Sequence, residues 1–196
     1  MKRILLAFAV SFIGLCANAQ RVTFWYGVNY GKESGYYSTG ETVGVAHPGP
    51  GHSGGSKSTL LGEYGRKARP INFGVDYTSR LSGKFDWAVG LGFNEKGSLY
   101  KMDFVQVEAN VKYNIFDNGT WRIAEFAGPF GAFKTSDNHK NTEEFKKFMF
   151  GVQCGVDVSY KRLSLKVGYE HSLTGIGGDI NMREWFARLG VDLFRK

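Results

Sequence analysis

Cysteine and proline are scarce in this 196-residue chain, which has two of the former and four of the latter beside 27 glycines and 16 phenylalanines. Cys16 lies in an apolar segment near the N-terminus, and Cys154 is the other thiol. If that segment is removed, no internal disulfide can form, so burial and backbone pairing must stabilise the chain. A mean hydropathy of −0.27 argues against a bundle of membrane-spanning helices.

Residues 1–19 have the three parts of a secretory signal peptide. Residues 2–3 are basic, residues 4–15 form an apolar run, and residues 17–19 read Ala-Asn-Ala, the small-x-small pattern of a cleavage site. The apolar run is shorter than the about 20 residues that a spanning helix needs. We therefore expect residues 1–19 to be cleaved and residues 20–196 to form one domain.

The formal net charge is +7, but the basic residues are scattered along the chain. A protein that binds nucleic acid usually gathers such residues into one stripe or patch, so we expect no nucleic-acid partner. Attraction to anionic lipid head groups is the simpler interpretation of a basic exported protein.

Beyond residue 20, apolar side chains alternate with polar ones, which is the two-residue period of β-strands. The clearest case is the sequence VQVEANVKY at residues 105–113. Eight such segments can be recognised, and most are long enough to cross a bilayer at about 9–11 residues each. They are residues 21–31, 71–78, 85–93, 105–113, 120–133, 148–158, 163–170 and 185–193.

The segment at residues 120–133 is less regular than the others, because Gly128-Pro129 interrupts it. Proline is tolerated at a sheet edge, a strand end or a bulge. We expect a bulge at this position, and the sequence leaves open which side chains of the segment face inward.

The links between the segments alternate in length. Tight turns are predicted at Leu81-Ser82, at Asp117-Asn118-Gly119 and at Lys161-Arg162, whereas the other links are long: residues 32–69, 94–102, 134–146 and 173–183. Short periplasmic turns and long external loops are typical of bacterial outer-membrane β-barrels. We therefore predict an all-β, eight-stranded, antiparallel, up-and-down transmembrane barrel in a Gram-negative outer membrane, with periplasmic termini and the long loops outside.

The two faces of the strands support this interpretation. One face is apolar and rich in aromatic residues, with Trp87, Tyr113, Tyr169 and Trp185 near strand ends, as an interfacial girdle requires. The other face combines glycines with isolated charges, which fits a narrow lumen. A soluble, lipocalin-like barrel is the alternative, because a two-residue period does not show which face of the strands contacts water. The candidate lumen network is Glu108, Lys112, Asp157, Lys166, Glu170, Arg188 and Asp192.

The order of several motifs resembles the PorT-like outer-membrane β-barrel proteins. The motifs are GLGFNEKG at residues 90–97, FVQVE at 104–108, AGPFG at 127–131 and YEHSL at 169–173. The resemblance implies an eight-stranded barrel like OmpA or OmpX, and some members of that family are linked to a dedicated secretion system. The chain departs from the family in lacking a proline within 107–111 and in ending Phe-Arg-Lys.

An interior of eight strands is just wide enough for side chains to fill it, so we expect function to lie on the loops. The main hypothesis is a non-catalytic structural or interaction protein, accessory to secretion or surface assembly, with no cofactor and no metal. The expected partners are outer-membrane lipid, lipopolysaccharide, the barrel-assembly machinery during biogenesis and other envelope proteins. Lys57, Arg66, Lys67 and Arg69 are candidate lipid A-facing residues, with ordinary solvated charges as the alternative.

Two other functions are compatible with an eight-stranded barrel. A narrow channel is one. The other is an enzyme at the barrel rim that modifies lipid A, for which Glu170-His171-Ser172 offers an acid, a base and a nucleophile. Consecutive residues of a strand point to opposite faces, so His171 should face lipid while its two neighbours face the lumen. The three side chains are therefore not expected to form one site.

Overall fold

The computed structural model describes residues 21–37, 59–61, 67–97, 102–137, 147–174 and 181–195. No helix in this part of the chain is long and apolar enough to cross a membrane. All of its regular elements are strands: β1 Arg21–Tyr37, β2 Thr59–Leu61, β3 Lys67–Ser82, β4 Phe85–Lys96, β5 Met102–Asp117, β6 Trp121–Asp137, β7 Phe148–Tyr160, β8 Leu163–Ser172 and β9 Asn181–Arg195.

The chain folds as a closed antiparallel β-barrel. Each strand from β3 to β8 pairs with the next one along the chain, and β1 pairs with both β3 and β9. The short β2 pairs with the end of β1 alone, so eight strands form the wall. Closure gives every wall strand two partners, which leaves no unpaired edge. The predicted fold class is confirmed.

The three tight turns, the start of β1 and the end of β9 lie at one end of the barrel, called here the turn end; the opposite one is the loop end. The β5–β6 turn is held by Asn118, whose Oδ1 accepts the backbone N–H groups of Thr120 at 3.1 Å and Trp121 at 2.7 Å. Gly119 has a φ of +79°, the left-handed conformation that glycine adopts without strain. Turns at residues 117–119 and 161–162 were predicted correctly.

Several predicted boundaries were wrong. The β3–β4 turn lies at residues 83–84, not at Leu81-Ser82, because β3 continues to Ser82. At the loop end, β1 extends to Tyr37, β4 to Lys96 and β9 back to Asn181. Polar residues in these extensions look like loop residues in the sequence, yet they continue the ladders between neighbouring strands.

The bulge predicted at Gly128-Pro129 is also absent. The β6–β7 register runs through both residues without a shift, opposite Gln153 and Val152. On the other side, the β5–β6 register is the same before and after them, although the ladder omits their two pairs. Proline has no N–H to donate, and a Cβ on Gly128 would overlap the carbonyl of Ala109. The missing pairs therefore mark a close strand approach and not an inserted residue.

The two faces of the wall differ sharply. Outward side chains are mostly apolar and exposed, as in β5, where valines 105, 107 and 111 alternate with buried residues. Inward side chains are mostly polar and buried. In β6, whose facing the sequence left open, Ala124, Phe126, Phe130 and Ala132 are the buried residues.

Candidate functional site

The barrel interior holds a set of buried charged side chains, called here the interior network. All seven residues of the candidate lumen network lie in it, and each is at most 5% exposed. Asp76, Lys96, Glu184 and Arg21 join them. Charges this deeply buried require partners of opposite sign, because their desolvation is costly.

Arg188 is the centre of the interior network. Its Nη1 donates to Glu108 at 2.8 Å, and its Nη2 donates to Glu170 at 3.1 Å. The guanidinium carbon also lies 4.3 Å from the ring centre of Trp25 and 4.2 Å from that of Phe186. Arginine suits this position because its planar group can stack on rings while its edges donate hydrogen bonds.

Lys166 extends the network from Glu108 towards β3. Its ammonium group contacts Glu108 and lies 3.4 Å from the carboxylate of Asp76. Asp76 in turn accepts a hydrogen bond of 2.9 Å from the indole N–H of Trp25. Gly90 leaves the space that these groups need, since a Cβ there would come within 2.5 Å of Asp76 Oδ1 and 2.7 Å of Glu108 Cγ.

Lys96 forms the part of the network nearest the loop end. It pairs with Glu170 and lies 3.2 Å from Glu184, so one cation serves two carboxylates. Gln106 donates to Glu170 at 2.9 Å, and the backbone N–H of Gly97 donates to Glu184 at 3.1 Å. These donors offset part of the negative charge of the two carboxylates that one lysine does not neutralise.

A second group of ion pairs lies nearer the turn end. Arg21 pairs with Asp192 at 2.8 Å and lies 3.7 Å from Asp157. Lys112 pairs with Asp157 at 2.7 Å. Thr23 donates to Asp192 at 2.7 Å, which adds a neutral donor to the same carboxylate.

Asp86 closes the interior at the turn end. It is fully buried, and it pairs with Arg80 at 2.7 Å and Arg122 at 3.4 Å, both of which reach in from the rim. Asn114 donates to the same carboxylate at 2.8 Å. The ion pairs thus continue from the middle of the barrel to its turn end.

Apolar side chains fill the interior at the loop end, opposite Asp86. Among the described residues, one buried apolar cluster consists of Met102, Phe104, Phe130, Ala132, Met149 and Met182. All six are at most 3% exposed. The lumen is therefore not only the packed polar core that the sequence suggested, because an apolar layer lies above the ion pairs.

Sequence reasoning missed four charged members of the interior network for identifiable reasons. Lys96 lies in the segment 94–102, which was predicted to be a loop. Glu184 lies between the predicted loop at residues 173–183 and the predicted strand at residues 185–193, so its facing was not considered. Arg21 is the first residue of β1, where no preceding alternation marks its face. Asp76 stands on the polar face of its segment and could have been included by the same period-two argument that found Lys166.

The candidate lipid A-facing residues have different outcomes. Lys57 and Arg66 lie outside the described residues, and the side chain of Lys67 is not described. Arg69 is buried, and its Nε donates to the carbonyl of Gly97 at 2.8 Å. Arg69 therefore points into the barrel and does not face lipid head groups, because β3 already runs as a wall strand at this position.

The side chains of Glu170, His171 and Ser172 do not converge. Glu170 and Ser172 are buried in the interior, where Ser172 Oγ accepts the backbone N–H of Met182 at 2.7 Å. His171 lies between them in sequence on the outer wall, in the same cavity lining as Cys154 and Arg183. Among the described residues, no group of three or more potential metal ligands lies together.

We predict that Arg188→Met lowers the free energy of unfolding by roughly 3–5 kcal/mol, because two buried carboxylates lose their shared cation. Urea unfolding of the protein folded in lipid vesicles would measure the change. Arg162→Gln, at an exposed turn, is the control and should have little effect. Adding Glu108→Gln and Glu170→Gln to Arg188→Met should recover part of the loss. A destabilisation equal to that of Arg162→Gln would contradict the assigned role of Arg188.

No protein-family model matches the chain, and no curated protein matches it. The chain is similar to solved structures of three proteins at low identity. Neisserial surface protein A shows 14% identity over 87% of this chain and 96% of its own, with a TM-score of 0.43. Ail, the attachment invasion locus protein of Yersinia pestis, shows 9% identity over 89% of this chain and 99% of its own, with a TM-score of 0.44. The N-terminal β-barrel domain of Pseudomonas aeruginosa OprF shows 11% identity over 88% of this chain and 98% of its own, with a TM-score of 0.41.

Proposed function

We propose that the protein is an integral outer-membrane barrel of a Gram-negative bacterium, with a non-catalytic structural or interaction role. One observation carries the proposal: the barrel exposes its apolar side chains and buries its charges. A water-soluble barrel has the opposite arrangement, with the apolar face inside. Hydrocarbon around the wall makes this arrangement favourable, and a closed barrel leaves no backbone group unpaired there.

The outer wall has the composition that a bilayer requires. Its large apolar side chains include Leu189 at 68% exposure and Trp185 at 57%. Aromatic pairs lie towards both ends, with Trp121–Tyr160 next to tight turns and Tyr169–Trp185 nearer the loop end. Aromatic rings of this kind are enriched at both membrane–water interfaces.

We expect Leu189→Arg to lower the free energy of unfolding in vesicles by roughly 2–4 kcal/mol, because the new charge would lie within the hydrocarbon. The matched control is Leu81→Arg, since Leu81 is 62% exposed but lies beside a tight turn. Near an interface the same change costs about 0–1 kcal/mol. Equal effects at the two positions would argue that no membrane surrounds the wall.

The described interior does not favour the channel hypothesis. Five large side chains of the interior are each at most 2% exposed: Lys96, Phe104, Gln106, Phe130 and Arg188. A water-filled lumen would leave such side chains accessible. The proposal therefore assigns the interior a structural role and places recognition on the loops.

In this proposal the loop end faces outward and the termini are periplasmic. An epitope inserted at residue 50 should be stained on intact cells. The same epitope inserted between Asn118 and Gly119 should be stained only after the outer membrane is permeabilised. The reverse pattern would show that the barrel is inserted the other way up. If both variants fold and neither epitope is stained on intact cells, a surface location is contradicted.

We further infer that the protein is an accessory to secretion or surface assembly that acts through its longest loop. The resemblance of residues 90–97 and 127–131 to PorT-like proteins supports this role, and the filled interior leaves the loops as the surface that a partner can reach. Replacing residues 38–58 by a short Gly-Ser linker should remove envelope proteins that cross-link to the full chain. An unchanged cross-linked set, with the shortened barrel still folded, would refute a role for this loop.

A further inference from the structure

Among the shallow apolar grooves on the described outer wall, the one between β6 and β9 has basic residues at its rim, and it is called here the outer groove. Ala127 and Pro129 of β6 and Val152 and Cys154 of β7 line it. His171 of β8 and Arg183 of β9 line its rim. The groove exists because three of the four floor side chains are small, whereas Tyr169 and Trp185 beside them are large.

The strand register sets the geometry of the outer groove. Pro129 pairs with Val152, Val152 with His171, and His171 with Arg183, so one row crosses four strands and ends on the two basic residues. The next row towards the turn end consists of Ala127, Cys154, Tyr169 and Trp185. Apolar floor and basic rim are therefore neighbours on one continuous surface.

The two basic side chains have no partner in the described part of the chain. Nδ1 of His171 is buried without a hydrogen bond, and Arg183 is exposed on the outer face without an ion pair. The nearest acid on β6, Glu125, lies beyond Ala127 on the turn-end side. An anion at the rim would therefore meet positive charge that no carboxylate among the described residues neutralises.

The position of the two basic residues along the strands favours a lipid as the ligand. His171 and Arg183 lie two residues nearer the loop end than the Tyr169–Trp185 pair, whose ring centres are 5.2 Å apart. Such aromatic pairs lie at the head-group level, and basic side chains close to them reach head groups. An isologous dimer through this surface would bring Arg183 close to its own copy, which like-charge repulsion opposes.

We propose that the outer groove binds one anionic, phosphate-bearing lipid of the leaflet at the loop end. An acyl chain lies over Ala127 and Cys154, and the phosphate contacts Arg183 and His171. The inference rests on the proposed membrane location, and it adds a specific lipid site on the outer wall.

Cys154 on the groove floor offers a direct test. With Cys16 replaced by Ser, modification of Cys154 by a small, membrane-permeant maleimide is timed in neutral detergent micelles. Phosphatidylglycerol or phosphatidylcholine is then added at the same mole fraction. The anionic lipid should slow the reaction roughly fivefold more than the zwitterionic one, as expected for a basic residue near a head group. Arg183→Gln with His171→Gln should abolish the difference, whereas Arg162→Gln at the turn end should preserve it.

Equal protection by the two lipids, or a difference that persists in the double variant, would overturn the proposal. Protection that rises with protein concentration in the absence of lipid would show that a second copy covers the groove, and would overturn it as well. Heat-modifiable migration of every sample reports whether the barrel is folded. Failure to insert into bilayers would refute the membrane location, whereas an inserted barrel without lipid selectivity would refute the outer groove alone.

Discussion

The pairing of opposite charges inside a closed barrel is the constraint on which the rest of this structure depends. Closure of eight strands removes every edge, but it leaves an interior only wide enough for side chains. Charged groups that enter it must find partners, as Arg188 does with Glu108 and Glu170. Removing one partner would leave an unpaired charge in a low-dielectric space, so the members of the network depend on one another.

The same constraint explains the glycines and aromatic residues of the interior. Close packing leaves no room for a Cβ at Gly92, where it would come within 2.6 Å of the Trp25 ring. Trp25 is useful inside because its N–H binds Asp76 while its face supports Arg188. An interior filled in this way has a fixed geometry, which is why recognition is assigned to the loops and to the outer wall.

The two-residue period predicted which side chains of the regular segments lie inside. It worked for Glu108 and Lys112 because β5 alternates strictly between apolar and polar residues. It could not find Lys96 or Glu184, since polar residues at a strand end look like the start of a loop. Those strands continue because they pair with neighbouring strands that are distant in sequence. The pattern within one segment does not show where that pairing ends.

The outer groove and the interior network meet in the middle of β6, where the large side chains point inward and the small ones point outward. Phe126 and Phe130 point inward, where Lys166 lies 4.7 Å from the first ring centre and Lys96 lies 5.0 Å from the second. The inward rings thus support two of the three lysines of the network, Lys96 and Lys166. On the outer face of the same strand, the small side chains Ala127 and Pro129 leave the depression that forms the groove. Because side chains alternate along a strand, a one-residue slip of β6 would remove the ring contacts and fill the groove together. The interior packing and the lipid site are therefore coupled through the register of one strand.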